Sequence, residues 1–317
     1  GSVYYDAASS LRSLSLNSSG GGTSSTRAPA PAAEAKAAAE GAAEAVEGRV
    51  ESDPRPWMRT HELRTEGSFD AAVRAVAAAR DAGERVDADG DWLWVRARLA
   101  ADLADERGDA DAAKEALALA ERATDAAPRS PEAHLAVAIG AGRVQEIPGT
   151  GIQARVKLAR RIREHCDTCL ELCREKFGDP PVGDEFFTTY TCLMVLGKWH
   201  HGLASLPSVH KFVVRTVFGK MPHYSYEEAA AAHKKQLEMH PHIPLPRMEL
   251  GRVLIGMGDK AAAAAHLDAF LEQAPGDKYS GKRFKLHREA GDMLKATGVA
   301  PKRAAKATLS AAGWGRK

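Results

Sequence analysis

The chain has 317 residues, 44% hydrophobic and 27% charged, with a formal net charge of +2. That length allows one or two domains, and so balanced a charge gives no basis for nucleic-acid binding by the molecule as a whole. No stretch approaches the roughly 18 consecutive apolar residues a membrane-spanning helix needs. Residues 1–55 are Ser/Gly-rich, then Ala/Glu-rich, with few large apolar side chains after Leu16. Such a segment buries too little to offset ordering entropy, so it is expected to be a disordered low-complexity tail. Its serines and few acids also suit an organellar transit peptide, and the Gly1-Ser2 start without methionine marks a fragment or processed form.

Abundant alanine and 6% aromatics favour helix over sheet. From Trp57 the spacing predicts helices in succession. Phe69 to Ala82 lies between a Ser68 cap and a Gly83 stop. Asp91 to Arg107 ends at Gly108, and Ala112 to Ala127 ends at Pro128. Pro131 opens another. After a Gly/Pro loop, Ile152 to Phe177 is long, basic and amphipathic, and Gly178-Asp179-Pro180-Pro181 stops it. Asp184 is expected to cap a helix reaching Leu203. The segments Val209–Phe218, Tyr226–His240, Pro246–Met257, Lys260–Gln273 and Tyr279–Ala296 follow, the last as a cover for the open end.

Two of these units share a spacing. Leu250-Gly251 is followed by Ala263 after 12 residues and by Pro275 after another 12. Leu196-Gly197 is followed by Ala229 after 32 residues, with Pro241 again 12 beyond. Pro241 and Pro275 are 34 apart, the length of a tetratricopeptide unit. The second unit is therefore a helical hairpin split by about 20 inserted residues. The expected fold is all-α, a tetratricopeptide-like right-handed α-solenoid of residues 56–297, with one repeat split by an inserted helix and a basic tail at 298–317. The insert is expected to pack across its own repeat, with lipid or groove contact as the other use of its apolar-basic face.

Stacked hairpins share a core and leave a curved surface for partners. Gly251, Ala263 and Ala229 are the expected close-approach positions. Recognition side chains would come from the first helix of each pair, and Arg96, His134, His200, Arg247 and Arg252 are candidates by type.

Several segments resemble the regulator-of-microtubule-dynamics family. They include Trp92-Leu93-Trp94, Glu132-Ala133-His134, and Lys157-Leu158-Ala159 leading to Glu164-His165. The split repeat carries the most: Gly197-x-Trp199, Ala204-x-Leu206-Pro207, an inserted helix ending at Phe218, then Tyr226-Glu227-x-Ala229. Ser208 stands where the family usually has an aromatic. The resemblance implies a non-enzymatic scaffold associated with microtubules, in the cytoplasm at the spindle, cytoskeleton or a cilium's axoneme. Its other branch implies a mitochondrial or plastid adaptor that binds a peptide or lipid. Residues 276–317 hold eleven Lys and Arg against three acids, a net of +8. Lys282, Arg283, Lys285 and Arg288 would then draw the acidic tails of tubulin through a salt-sensitive attraction.

Enzymatic and metal chemistry are not expected. Cys166, Cys169 and Cys173 share a helix face, but three thiolates seven residues apart span about 10 Å at the helical rise, too far for one tetrahedral ion. They and Cys192 read as buried core thiols of a reducing compartment. The histidines near the insert have no adjacent acid or oxyanion hole to make a nucleophilic pair with Cys192. No strand-borne glycine loop offers a phosphate site, so no cofactor is expected.

Overall fold

The computed structural model of the protein describes residues 55–218, 221–273 and 282–299. The tail expected at 1–55, beyond Arg55, and that expected at 298–317, beyond Val299, lie outside the described residues. So do the side chains of Phe218, Lys282 and Arg283.

The helices in order are α1 (Met58–Thr65), α2 (Phe69–Asp81), α3 (Gly90–Arg107), α4 (Ala110–Ala126), α5 (Pro131–Glu146) and α6 (Ile152–Phe177). They continue with α7 (Thr188–Ala204), α8 (Ser208–Phe218), α9 (Tyr226–Met239), α10 (Leu245–Met257), α11 (Lys260–Gln273) and α12 (Lys282–Thr297). No strand occurs among the described residues. Local chemistry sets most boundaries. The Asp89 carboxylate accepts from the N–H groups of Asp91 and Trp92, and Asp109 does the same for Asp111 and Ala112. Ser130 and Ser225 cap α5 and α9 through their hydroxyls. Gly108 and Gly258 close α3 and α10 in the left-handed region, at φ 66° and 84°. Ser68 differs from expectation, for its side chain makes no cap hydrogen bond to α2. Asp184 does cap α7, but from further back. Its two oxygens accept from the Thr188 and Thr189 N–H groups at 2.8 and 2.7 Å, across a turn in which Phe187 has φ 54°.

Short connections make successive helices antiparallel neighbours. The pairs α1–α2, α3–α4, α5–α6, α7–α9 and α10–α11 each pack together, and α12 covers α11. The first helix of each pair also touches the first helix of the next, so the pairs stack as an α-solenoid. The split repeat is real, because α7 packs on α9 with α8 between them in sequence. Small residues hold the interfaces close: Ala116, Ala120, Ala123, Ala133, Ala138, Ala229 and Ala263 are all fully buried. At Gly140 the approach is backbone to backbone. A Cβ there would lie 2.9 Å from the Leu117 Cα on α4. Gly197 faces the His233 ring of α9 at 2.5 Å from an added Cβ, and Gly251 faces the Leu267 side chain at 2.7 Å.

Several polar groups between the pairs are matched. His233 and Gln236, both fully buried, bind each other through Nδ1 and Oε1 at 2.9 Å, and the Gln236 amide donates to the Tyr190 carbonyl. Charged pairs run along the first helices. Arg64 reaches Asp102 at 2.8 Å, Arg143 reaches Asp105 at 3.1 Å, Lys198 reaches Glu249 at 3.1 Å, and Arg252 reaches Glu289 at 2.8 Å. Burial alone would raise the Glu249 carboxyl, but Lys198 and Arg252 outweigh it and hold it down to about 2.

Candidate binding site

The loop Ile147–Gly151 turns the chain from α5 into α6. Thr150 Oγ1 donates to the Val144 carbonyl and Arg155 Nε donates to the Thr150 carbonyl, which fixes the start of α6 beside the end of α5. Along α6 the apolar positions Val156, Ala159 and Ile162 recur at helical spacing and are buried. Trp199 of α7 lies on them, its indole N–H donating to the Ala159 carbonyl at 2.7 Å. The insert then leaves α7 at this same end. Leu206 before α8 and Met221 after it come back to the Trp199 surface.

These parts enclose a cavity of about 510 Å³ whose floor is Val156, Ala159, Ile162 and Trp199, with Leu203, Leu206 and Met221 as walls. That volume is in the range of small-ligand sites. Arg155, Lys198 and His210 stand around it, with Glu146 as the acidic member. Glu146 is paired with Arg143 at 3.2 Å. From Ile152 to Arg163, α6 carries Arg155, Lys157, Arg160, Arg161 and Arg163 and no acid. Arg161 pairs with Glu121 and Arg163 with Asp167.

The flanks of the insert lie against its own repeat, where Met221 and Tyr224 pack on the Trp199 region of α7, while its helix reaches beyond that repeat. Helix α8 leans on α6 of the preceding unit. The Lys211 ammonium donates to the Ala204 carbonyl at 2.7 Å, satisfying the C-terminal end of α7. Val209 and Phe212 are left 70% and 68% exposed. Pro207 starts the insert and Phe218 ends its helix.

The candidate recognition residues do not gather at one place. Arg96 lines a different cleft, of about 410 Å³ between α2, α3 and α4, and binds the Val86 carbonyl and Asp87. His134 joins α5 to α6. Its Nε2 sits 3.0 Å from the Pro128 carbonyl, which can only accept, so Nδ1 accepts in turn from His165 Nδ1–H at 3.0 Å. Burial, His134 and Arg161 hold His165 down to about 4. His200 is buried, takes a hydrogen bond from Arg163 at 3.1 Å, and is held to about 4 by burial and that guanidinium. Arg247 donates to the Gln273 amide oxygen, and Arg252 joins Glu249 to Glu289. On α12, Lys285 and Arg288 are exposed.

Cys166, Cys169, Cys173 and Cys192 are all buried in the core between α6 and α7, the Cys192 thiol donating to the Cys166 carbonyl at 3.4 Å. Among the described residues, no group of three or more His, Cys, Asp or Glu side chains is arranged to hold a metal ion. None of their helices is long and apolar enough to cross a membrane. The cavity was not among the sequence candidates. Its signal was the acid-free basic run opening α6, together with Lys198 between Gly197 and Trp199.

The family model described as "Regulator of microtubule dynamics protein 1-3" matches residues 59–298. Regulator of microtubule dynamics protein 1 of Mus musculus is 27% identical over 182 residues, 56% of this chain and 55% of that protein. The chain thus spans about half the length of that relative. Among solved structures, a thermophilic TPR protein of Thermus thermophilus is similar at a TM-score of 0.49 and 16% identity, over 75% of this chain and 97% of the other. The fold assignment rests on the helix order and pairing above.

Proposed function

Because the chain belongs to the regulator of microtubule dynamics family, we propose that it is a microtubule-associated scaffold, acting in the cytoplasm at the spindle, cytoskeleton or axoneme. The observation that carries this is the extent of the family match, which runs over the helical stack from α1 through α12 and includes the split repeat. A helical-repeat stack presents surface for protein partners, and a family of regulators with such a fold works by binding rather than by chemistry. The proposed contact with tubulin is electrostatic. Lys285 and Arg288 stand exposed on α12, within a C-terminal region of net charge +8. Acidic tubulin tails would be held there by an attraction that salt screens over about 10 Å at 0.1 M.

Co-sedimentation with microtubules at rising salt tests this. The expected result is pelleting at low salt that fades as salt is added, and that weakens in a Lys285→Glu, Arg288→Glu variant. No pelleting at low salt would remove the microtubule reading. The second reading is a mitochondrial or plastid adaptor that takes a peptide or lipid into its groove. It is favoured by the apolar cavity and by exposed Val209 and Phe212 beside it. Imaging the full gene product tagged at either end separates the two, since microtubule decoration in both and no organelle signal would remove the adaptor.

A further inference from the structure

We infer that the cavity between α6, α7 and the insert receives an acidic segment of a protein partner, with one bulky apolar side chain of that segment seated on Trp199. This deepens the scaffold reading and rests on it, but not on tubulin being the partner.

Two features select the occupant. The interior of the cavity is apolar, formed by Val156, Ala159, Ile162, Trp199, Leu203 and Met221, and at about 510 Å³ it has room for a phenyl or isobutyl side chain. Its surround is cationic. Arg155 is exposed at the mouth with its Nε already committed to the Thr150 carbonyl, so the outer edge of the guanidinium faces solvent. The Lys198 ammonium on the wall is paired with Glu249, and Arg163, paired with Asp167, stacks over the Trp199 ring at 5.7 Å, so the charge a partner meets at the mouth is chiefly that of Arg155. The acids nearby are already used: Glu146 binds Arg143, and Glu249 binds Lys198 and Arg252. The first turn of α6 also opens here, with no acidic residue and no side-chain cap, so its dipole adds positive potential. An anionic chain with one large apolar residue matches both the charge and the interior. A neutral or basic peptide matches only the interior.

The insert explains why a cavity forms at this unit. An ordinary tetratricopeptide turn between α7 and α9 would leave Trp199 and Leu203 open to solvent on this side. Here Leu206 and Met221, from either flank of α8, supply the missing wall.

The test uses the full chain and two fluorescein-labelled peptides, Glu-Glu-Glu-Phe-Glu-Glu-Glu and the same peptide with Ala for Phe, followed by anisotropy at low salt. Burying a phenyl ring corresponds to about tenfold or more in affinity, so the Phe peptide is expected to bind at least that much tighter. Arg155→Glu should weaken both peptides. Gly202→Phe should abolish the difference between them. A Cβ at Gly202 meets nothing within 4 Å, so the new ring can enter the cavity without displacing the fold. Equal binding of the two peptides, or a difference that survives Gly202→Phe, overturns the proposal. Phosphatidylserine vesicles form the competing arm: if Gly202→Phe abolishes vesicle binding and leaves the Phe peptide unaffected, the site is a membrane contact and the proposal falls. The outcome separates from the microtubule reading. Peptide discrimination without pelleting sinks only that reading, and pelleting without peptide discrimination sinks only this proposal.

Discussion

Replacing Gly140 by alanine should destabilise the stack, against the direction that helix propensity alone predicts. In mid-helix, alanine is favoured over glycine by about 1 kcal/mol. At this position the added Cβ would lie 2.9 Å from the Leu117 Cα, 3.0 Å from the Leu117 N and 3.2 Å from the Ala116 carbonyl carbon. Carbon atoms settle near about 3.5 Å or more, so α4 and α5 must part by roughly half an ångström. All three atoms are backbone, and none can rotate away. Overpacking of this kind costs about 1–3 kcal/mol. The comparison that isolates it is Gly291→Ala on α12, where a Cβ meets nothing within 4 Å. Both variants gain the same propensity, so their difference is the clash alone. At about 2–4 °C per kcal/mol for a protein of this size, Gly140→Ala should melt roughly 2–12 °C below Gly291→Ala in far-UV circular dichroism. If Gly140→Ala melts at the same temperature or higher, the close approach of α4 and α5 does not exist as described.

Glu249→Gln keeps the side-chain shape but leaves Lys198 and Arg252 facing a neutral group, and should cost about 3 kcal/mol, read as a fall in urea midpoint; an unchanged midpoint would refute it. For His165 and His200 the folded pKa, about 4, lies below the ordinary 6.5, so the unfolded chain binds more protons in between. Stability should therefore fall as pH drops from about 6.5 to about 4, and a His165→Phe, His200→Gln variant should show a shallower melting-temperature slope over that window. The four buried thiols should resist a thiol reagent in the native protein and react fully in denaturant. Rapid labelling of any of them in the folded state would contradict their placement.

The helices were largely legible because their ends carry local chemistry. Gly108 and Pro131 do what those residue types do at helix ends in any context. The split repeat was legible for a different reason. A 34-residue period survives as spacing even when one turn is lengthened, so Ala229 and Pro241 kept their register. What escaped depends on contacts between elements far apart in the chain. Nothing local distinguishes Gly140, which meets α4 backbone, from Gly291, which meets nothing. Asp184 is legible as a cap, but not that it works across a turn through Phe187. By its type His134 suits a partner, while the structure gives both its nitrogens to Pro128 and His165. The cavity draws on three helices, a loop and the insert, and the hydrophobic pattern of the insert alone did not show that it leans on α6.

The connection between α7 and α9 has a consequence for what can be removed from this protein. The two helices are fastened by Gly197 against His233, and by Gln236 reaching the Tyr190 carbonyl, none of it involving α8. Lengthening such a connection from a few residues to about 20 costs only about 1–2 kcal/mol in closure entropy. A single protease cut within 208–218 should then leave both halves associated, with a melting transition that becomes dependent on concentration because unfolding now separates two chains, while the wall formed by Leu206 and Met221 is freed from one side. Cohesion of the stack and recognition at its edge reside in different residues, so the second can be lost with the first intact.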